Sequence, residues 1–244
     1  MRVAQWAPMG IIRSVQELAD VEEPAWPQIV EWAQDGGRTQ ILEREPNRAA
    51  QTLFRLQVTT RSPTGALAYA CGGLVVDHGW LRILGGGTSE LVDLATANDL
   101  SDPTAHQGPP AHLVVAHDVL GGIFAVNGGG LTGELGEICY WGPDLLEWTP
   151  LGIAGHGDLV AWALTGGTDD FYTDLRWPDW QHETSRLGLD QGLSLYPPPS
   201  TEQGRDIAAA SKMAVPFTEL VGFHQELAAT LGDHDGPIAF RVTD

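Results

Sequence analysis

The stretch HLVVAHDVLGGIFAVN, His112–Asn127, decides the fold class. It contains two nearly continuous apolar runs, His112–Ala116 and Gly122–Asn127, separated by a short segment with a glycine. Short apolar runs bounded by turn residues are typical of strands that a helix layer covers on one face. We therefore predict that both runs are strands of one sheet packed against helices.

Further short apolar runs lie on both sides of this stretch. Several are bounded by glycine, proline or serine, which are frequent in turns. The additional predicted strands are Ala66–Ala70, Gly73–Asp77, Trp80–Leu84, Glu137–Trp141, Leu145–Thr149 and Gly192–Tyr196. Together they predict a mainly antiparallel or mixed β-sheet.

Helical signals dominate the two ends of the chain. The run Ser14–Glu17 has the spacing of a capping box. Trp26, Ile29, Val30 and Ala33 share one helical face, and the glycine pair at 36–37 ends that helix. The remaining predicted helices are Asn47–Phe54, a short one from Ser89, Asp158–Leu164, Asp169–Leu175 and a final one with Pro216 in its first turn.

Helices, then a sheet, then helices is the order of an α+β fold. The 244 residues, of which 43 % are hydrophobic, can bury a large core. We predict a single domain over residues 1–244. Within it we expect the polar, proline-rich residues 96–111 to form a mobile insertion loop, and residues 233–244 to form a loose C-terminal tail.

The charge balance restricts the partners. The chain has 32 acidic and 13 basic side chains, a net charge of −19. The phosphates of nucleic acid and of anionic membranes would be repelled, so neither is an expected partner. Two explanations account for the acidity. One is solubility together with GC-rich bacterial coding, since Lys212 is the only lysine; the other is recognition of a basic protein.

The sequence also allows predictions of the cellular compartment and of the state of the two cysteines. The N-terminus MRVAQWAPMG lacks the basic and apolar regions of a signal peptide, and no apolar run reaches the ~20 residues of a membrane span. We expect a cytoplasmic protein. Cys71 and Cys139 lie in apolar runs and are predicted to be buried free thiols.

The sequence contains no convincing match to a known catalytic or cofactor-binding motif. The run Gly128–Gly133 matches the dinucleotide pattern, but a strand rather than a helix follows it, which favours a hairpin loop. We expect no catalytic residue, no metal and no cofactor. His112 and His117 lie five positions apart on a predicted strand, so we expect their side chains to point to opposite faces.

Two polar clusters are the best candidates for a binding site. The first combines Thr59, Thr60, Arg61 and Ser62 with Asp77, His78, Trp80 and Arg82. Its hydroxyl and guanidinium groups suit a carboxylate or a phosphate. Alternatively, the hydroxyls satisfy backbone groups at a corner and Asp77 pairs with Arg61 or Arg82.

The second cluster is aromatic. Arg176, Trp177 and Trp180 lie close together in the sequence. They offer either an aromatic binding surface or a core plug stacked by the arginine. We keep both interpretations.

The run LQVTTRSPTGALAYACGGLVVDHGWLRILGGG, Leu56–Gly87, resembles the signature of the bacterial family called domain of unknown function 2625. Further similar segments are Gly121–Gly130, Tyr140–Trp148, Phe171–Trp180, Asp190–Gly192 with Tyr196-Pro197, and Ala214–Pro216. The resemblance extends from about Trp26 to Leu220 and implies no particular activity.

A second, more distant resemblance concerns the core segments Gly122–Asn127, Ile138–Tyr140, Asp144 with Glu147-Trp148, and Asp158–Leu164. They are similar to the core of SMI1/KNR4-like proteins, the SUKH superfamily. That resemblance implies an α+β fold with a mixed sheet, and a role as an immunity protein or interaction module. Asn127, at the end of its strand, joins the candidate binding residues.

Three functions are compatible with these observations. The favoured one is a non-catalytic protein-binding module, with toxin neutralisation and a basic protein partner as its specific form. The alternatives are an enzyme or small-ligand-binding protein that uses the polar cluster from Thr59 to Arg82, and a structural or scaffold subunit.

Overall fold

The structure is a computed structural model that describes residues 12–103 and 110–232. The predicted tail, 233–244, lies outside the described residues, as do residues 104–109 of the predicted insertion loop. In this part of the chain no helix is long and apolar enough to cross a membrane.

Helices at the start of the chain, a run of strands and then further helices give an α+β arrangement, as predicted. The strands are β1 Thr39–Leu42, β2 Gly73–Val76, β3 Leu81–Leu84, β4 His112–Asp118, β5 Ile123–Asn127, β6 Ile138–Trp141, β7 Trp148–Ile153, β8 Gln191–Tyr196 and β9 Ser211–Pro216. The helices are α1 Val15–Ala19, α2 Trp26–Gly36, α3 Pro46–Leu56, α4 Pro63–Ala70, α5 His156–Leu164, α6 Thr168–Phe171, α7 Trp180–Thr184 and α8 Phe217–Gly232.

The first seven strands form one sheet in which spatial order equals chain order. Each neighbouring pair is antiparallel, so the sheet is a meander of hairpins. Strands β8 and β9 form a separate antiparallel pair. The α+β fold class with an antiparallel sheet is thereby confirmed.

Different parts of the chain pack against the two faces of the sheet. Leu74 and Ile83, which pair across β2 and β3, belong to the core that includes Ile29 of α2 and Leu159 of α5. The opposite face contains Val75, Arg82 and His117, also paired across neighbouring strands. The C-terminal part of the chain covers that second face, because Arg82 bonds to the Gly188 carbonyl and His117 stacks on Phe217.

The segment predicted as strand Ala66–Ala70 is helix α4. Ser62 caps this helix by accepting a hydrogen bond from the Gly65 amide at 3.1 Å, and Pro63 occupies its first turn. A serine cap followed by proline is a strong helix start. The apolar run inside it is buried on several sides, which hides the helical period.

Other boundaries also differ from the predictions. β1, β9 and α7 were not predicted. No helix starts at Ser89; instead, the Thr88 hydroxyl accepts from the amides of Glu90 and Leu91 and closes a turn. The predicted strand Leu145–Thr149 begins only at Trp148, because residues 142–146 form a turn with Leu146 in the left-handed region.

The start of the predicted insertion loop contacts the sheet. Residues Thr96–Asn98 form a 3-10 turn. The Asn98 side chain donates to the Val114 carbonyl at 2.8 Å and accepts from the Val114 amide at 2.7 Å. The Asn98 side chain thus bonds to the backbone of β4 beyond the residues that pair with β3.

His112 and His117 lie on the same face of the sheet, contrary to the prediction. A bulge between Val114 and Ala116 shifts the register by one residue. His112 therefore pairs with Asn127 and His117 with Ile123, two positions of β5 that share a face. A single inserted residue reverses the alternation on which the prediction relied.

Candidate functional site

The residues Thr59–Ser62 hold the start of α4 against the end of α1. Thr60 donates to the Ala19 carbonyl at 3.1 Å, and Arg61 donates to the Glu22 carbonyl at 3.3 Å. Ser62 donates to the Thr59 carbonyl while it caps α4. The Thr60, Arg61 and Ser62 side chains thus bond to backbone groups. This agrees with the alternative in which the hydroxyls satisfy backbone groups at a corner.

Asp77 is almost fully buried and lies in a network of charges. Its carboxylate contacts Arg176 at 2.8 Å and Arg38 at 3.3 Å, and it accepts a hydrogen bond from Thr168. The predicted pairing of Asp77 with Arg61 or Arg82 is wrong. Both arginines of the network also bind Asp169, which Arg38 holds through two hydrogen bonds of 2.8 and 2.7 Å.

A tight turn presents Asp77 and His78. Asp77, His78 and Gly79 all have positive φ, and the Trp80 amide donates to the Asp77 carbonyl. Two central residues with positive φ match the right-handed twist of a hairpin, here that of β2 and β3. The turn points the Asp77 carboxylate inward, whereas the His78 side chain stays exposed beside Trp180.

The aromatic cluster is a core plug stacked by the arginine. The Arg176 guanidinium lies 4.0 Å from the centre of the Trp180 ring and 5.1 Å from that of Trp80. Trp80 is fully buried and contacts the rings of Trp177 and Trp180. Since Trp177 is also buried, these rings do not form the exposed aromatic surface that was the other interpretation.

Arg82 has no exposed surface and makes no ion pair with any described residue. Its guanidinium donates to the backbone carbonyls of Gly188 and Gln191. Its Nε atom is buried without a hydrogen-bond partner in the described part of the chain. Burial lowers the pKa of Arg82 to about 10, against the opposing pull of Asp118 and Asp190, so the group is still cationic at neutral pH.

A cavity of about 410 Å³ lies over this arginine. Gln40, Val75 and Arg82 are paired across β1, β2 and β3 and form its floor. The other lining residues are Gly37, Arg38, Thr39, His78, Gly79, Thr184, Ser185, Leu187 and Leu189. We call this space the Arg82 cavity.

The charge of the Arg82 cavity differs from that of the whole chain. The protein has 32 acidic residues, yet none of the residues that line this cavity is Asp or Glu. The charged residues of the lining are Arg38 and Arg82. Such a space is electrically suited to an anion, and its volume lies within the ~300–1,000 Å³ of small-molecule sites.

Asn127 organises the loop between β5 and β6. Its amide nitrogen donates to the carbonyls of Leu131, Gly133 and Glu134, and its oxygen accepts from the amides of Gly129 and Leu131. The glycine-rich run 128–133 is therefore the connection of an antiparallel hairpin, as predicted. Asn127 is a structural residue of that loop.

A second buried carboxylate with several hydrogen-bond donors, Asp118, was not predicted. Asp118 accepts hydrogen bonds from the hydroxyls of Tyr140 and Tyr172 and from the amides of Leu120 and Gly122. Burial raises the pKa of Asp118, although these four donors act in the other direction. The group joins β4, β6 and the segment after α6, and it is not among the residues that line the Arg82 cavity.

Metal-ligand groups and thiols of the described residues can be assigned directly. No group of three or more His, Cys, Asp or Glu side chains there is placed to hold a metal ion. Cys71 and Cys139 are buried and form no disulfide, in agreement with their prediction as buried free thiols. Burial raises the pKa of Cys71 to about 12, so its thiol is not activated.

The chain has recognisable relatives of unknown function. The family model described as "Protein of unknown function DUF2625" matches residues 15–220. The uncharacterized protein YbfG of Escherichia coli (strain K12) is 37 % identical over 192 residues, covering 76 % of this chain and 85 % of the relative. An uncharacterized protein of Haemophilus influenzae (strain ATCC 51907 / DSM 11121 / KW20 / Rd) is 33 % identical over 199 residues, covering 81 % and 86 %. No solved structure gives a significant match.

Proposed function

The chain belongs to the DUF2625 family, and we propose that it binds a small organic monoanion, a carboxylate, in the Arg82 cavity. One observation carries the proposal: a fully buried guanidinium under a cavity, with an unpartnered Nε–H and no ion pair among the described residues. The proposal revises the small-ligand hypothesis of the sequence analysis. It keeps His78 and Arg82 and gives no role to Thr59–Ser62.

A bound anion would stabilise Arg82. A buried charge without a counter-charge is costly, by several kcal/mol in the interior of a protein. The Gly188 and Gln191 carbonyls offset part of that cost, and Asp118 and Asp190 act only over a distance. A carboxylate in the cavity supplies the missing negative charge close to the guanidinium.

The charge balance favours a single negative charge on the ligand. Arg38 also lines the cavity, but Asp169 and Asp77 already neutralise it together with Arg176. Arg82 is left as the one uncompensated cation among the lining residues. Phosphate dianions would bring a second charge without a partner.

Binding rather than catalysis fits the hydroxyl groups at the cavity. Thr184 donates its hydroxyl hydrogen to the His78 carbonyl, Ser185 donates to the His182 carbonyl, and the buried Thr39 hydroxyl has no hydrogen-bond partner among the described residues. None of these three hydroxyls is hydrogen-bonded to a base that could activate it as a nucleophile.

The test is a titration of the full chain, labelled with ¹⁵N, with sodium acetate and sodium benzoate at constant ionic strength kept by sodium chloride. We expect a saturable shift of the Arg82 Nε–Hε resonance with at least one of the two carboxylates. Sodium phosphate at pH 8 serves as the dianion and should bind at least ~10-fold more weakly, which corresponds to about 1.4 kcal/mol. The absence of saturation with both carboxylates would contradict the proposal.

A pair of variants separates the cavity from general charge effects. Gln40→Glu places a carboxylate on the cavity floor and should weaken carboxylate affinity at least ~10-fold through repulsion at short range. Gln51→Glu adds the same charge at an exposed position of α3, and its effect should stay within about twofold because salt screens distant charges. Equal losses of carboxylate affinity in both variants would contradict the assignment of binding to this cavity.

Protein binding is the second candidate function, and the β8–β9 pair supports it. Tyr196 and Met213 lie on one face of that pair, and each is 64 % exposed. Leu193 and Leu195 lie on the other face and are buried. Exposed aromatic and methionine side chains are typical of interface centres, and the net charge of −19 would attract a basic protein. The likeness to SMI1/KNR4-like proteins, toxin neutralisation included, belongs to this candidate.

This second candidate is tested by affinity capture from an extract of the native cell at low and high salt. A basic protein that is held by the unmodified chain, released at high salt and lost with Tyr196→Ser plus Met213→Ser would support it. Leu135→Ser, at another strongly exposed apolar position, is the matched control and should retain the protein. Identical capture by all three chains would exclude this face as the interface.

A further inference from the structure

Helix α8 packs on the rest of the protein through a narrow stripe. Among its described residues the buried ones are Leu220, His224 and Leu227. Their spacing places all three on one face of the helix. A histidine therefore occupies the centre of an otherwise apolar contact.

The His224 ring fits against the turn between β4 and β5. Gly121 of this turn has a φ of 88°, and a Cβ added to it would lie 2.9 Å from Nδ1 of His224. The centre of the Trp141 ring, on β6, lies 6.0 Å from that of His224. Nδ1 is buried and has no hydrogen-bond partner in the described part of the chain. The ring is thus buried without the polar contacts that would offset its desolvation.

A second buried histidine lies under the start of α8. His117, on β4, stacks on Phe217, with 3.9 Å between the ring centres and 30° between the ring planes. Its Nδ1 is also buried without a hydrogen-bond partner among the described residues. The contact between α8 and the sheet therefore contains two histidines, one contributed by each side.

The charges around His117 disfavour its protonated form. Burial and Arg82, its cross-strand neighbour on β3, lower the pKa of His117 to about 3, although its hydrogen bond with the Asp118 backbone acts in the other direction. The Asp118 carboxylate points away from His117, because neighbouring residues of a strand alternate between faces. The carboxylates of Asp118 and Asp190 act on Arg82.

The surroundings of His224 are uncharged. Gly121 and Trp141 face its ring, and burial lowers its pKa to about 4. Glu219 and Glu226 belong to the same helix, but both are exposed. An imidazolium at either position would therefore be buried without a nearby counter-charge, which is costly.

We propose that α8 is an acid-released element: in mild acid, protons bind to His224 and His117 and detach this helix from the sheet while the rest of the chain stays folded. Elements with few buried side chains open at lower free energy than the core, so α8 detaches first. The inference is independent of the proposed function, which concerns the Arg82 cavity.

The direction of the pH dependence follows from the two states of the helix. In the attached state both imidazoles are neutral. In the released state both are hydrated and titrate near pH 6.5, so acid favours release. The attachment is complete above about pH 6.5 and weakens as the pH falls toward 4.

The identity of residue 224 supports a role other than stability. A leucine at this position would continue the apolar stripe of Leu220 and Leu227 and would bury no unpartnered nitrogen. Natural proteins depart from such packing rules mainly at functional positions. A histidine at the centre of the stripe makes the attachment depend on pH, which leucine cannot do.

Release of α8 would enlarge the exposed face of the β8–β9 pair. Gly192 and Val215 pair with each other and share a face with Tyr196 and Met213. A Cβ at Gly192 would lie 2.6 Å from the Leu220 side chain, so α8 covers this part of the face. Without the helix, the apolar surface extends from Met213 to Val215.

The test is amide hydrogen exchange of the full chain at pH 7 and pH 5, at constant ionic strength and corrected for the intrinsic exchange rates. We expect the opening constant of the α8 amides to rise at least ~10-fold at pH 5, because His224 alone supplies this factor. The amides of α3, Pro46–Leu56, should change by less than about threefold. No rise in α8, or equal rises in α8 and α3, would overturn the proposal, since the second result is global unfolding.

Leucine variants assign the effect to the two histidines. His224→Leu and His117→Leu should each reduce the rise, and the double variant should lower it to less than about threefold. His182→Leu, at an exposed position, is the matched control and should keep the full rise. A full rise in the double variant would mean that other groups release α8.

A titration of the unmodified chain gives the same answer without substitutions. The ¹H–¹³C resonances of the His117 and His224 rings should move from their neutral to their charged positions over the pH range in which α8 opens. Rings that stay neutral while α8 opens would contradict the proposal.

Discussion

The carboxylate of Asp77 accepts a hydrogen bond from the Arg176 guanidinium at 2.8 Å, across 99 positions of the chain. This contact joins the turn between β2 and β3 to the segment that packs its tryptophans on Trp80. Both side chains are largely buried. The pair therefore links the rim of the Arg82 cavity to the C-terminal part of the chain.

Asp77→Asn should destabilise the protein by about 3 kcal/mol, because it removes the buried counter-charge of Arg176 and leaves both Arg176 and Arg38 with Asp169 alone. Asparagine tolerates the positive φ of this position, so the loss reports the charge and not the backbone. Urea denaturation at pH 7 measures the change. Asp170→Asn, at an exposed position, should shift the free energy of unfolding by less than about 0.5 kcal/mol. Equal effects in the two variants would show that the pair does not matter.

Ser62→Ala should cost about 1 kcal/mol of stability, since it removes the cap of α4. It should leave carboxylate affinity at the Arg82 cavity unchanged. Thermal or urea unfolding and the acetate titration give the two readouts. Ser101→Ala, at an exposed position outside any helix cap, is the control and should change neither. A loss of acetate binding in Ser62→Ala would return the segment Thr59–Ser62 to the binding site.

The sequence predicted the parts of the fold that depend on local patterns. The Ser14 capping box forms at α1, the apolar period over residues 26–33 matches α2, and the runs around 112–127 form β4 and β5. It missed β1, whose four residues show no clean alternation of burial, and it misassigned α4, whose apolar residues are buried without a period.

The site was less predictable, because its residues come from distant parts of the chain. His78 and Arg82 were candidates from the sequence, and both line the Arg82 cavity. Arg38 and Asp169 were not, although they form two hydrogen bonds across 131 positions. No local spacing signals such a pair. The bulge that turns His112 and His117 to one face was equally invisible, because it depends on the register between β4 and β5.

Stability should decline in mild acid through His156. Burial lowers the pKa of this histidine to about 4, below the 6.5 of an exposed histidine. The unfolded chain therefore binds the proton first, so the contribution is present above about pH 6.5 and is lost as the pH falls toward 4. The difference in pKa corresponds to at most about 3 kcal/mol.

The measurement compares urea denaturation of the unmodified chain and of His156→Gln between pH 7 and pH 4.5. Glutamine keeps a polar partner for Thr64, which contacts the histidine at 2.9 Å, and it does not titrate. The variant should lose less stability on acidification than the unmodified chain. His182→Gln, at an exposed position, should follow the unmodified chain. Parallel curves for all three would refute the role of His156.

Asn127→Asp should destabilise the hairpin between β5 and β6 by about 3 kcal/mol at pH 7. The amide nitrogen faces three backbone carbonyls at 3.0–3.3 Å, and a carboxylate oxygen in its place would repel all of them while it is buried. The pKa of the new carboxyl in the folded state should therefore be raised, so the cost should shrink as the pH falls and the protonated group can donate again. Urea denaturation at pH 7 and pH 4 measures both effects. Asn47→Asp, at an exposed position of α3, is the matched control and should stay within about 0.5 kcal/mol of the unmodified chain. A cost in Asn127→Asp that is small at pH 7, or equal at both pH values, would mean that the asparagine does not organise the glycine-rich loop through its donor.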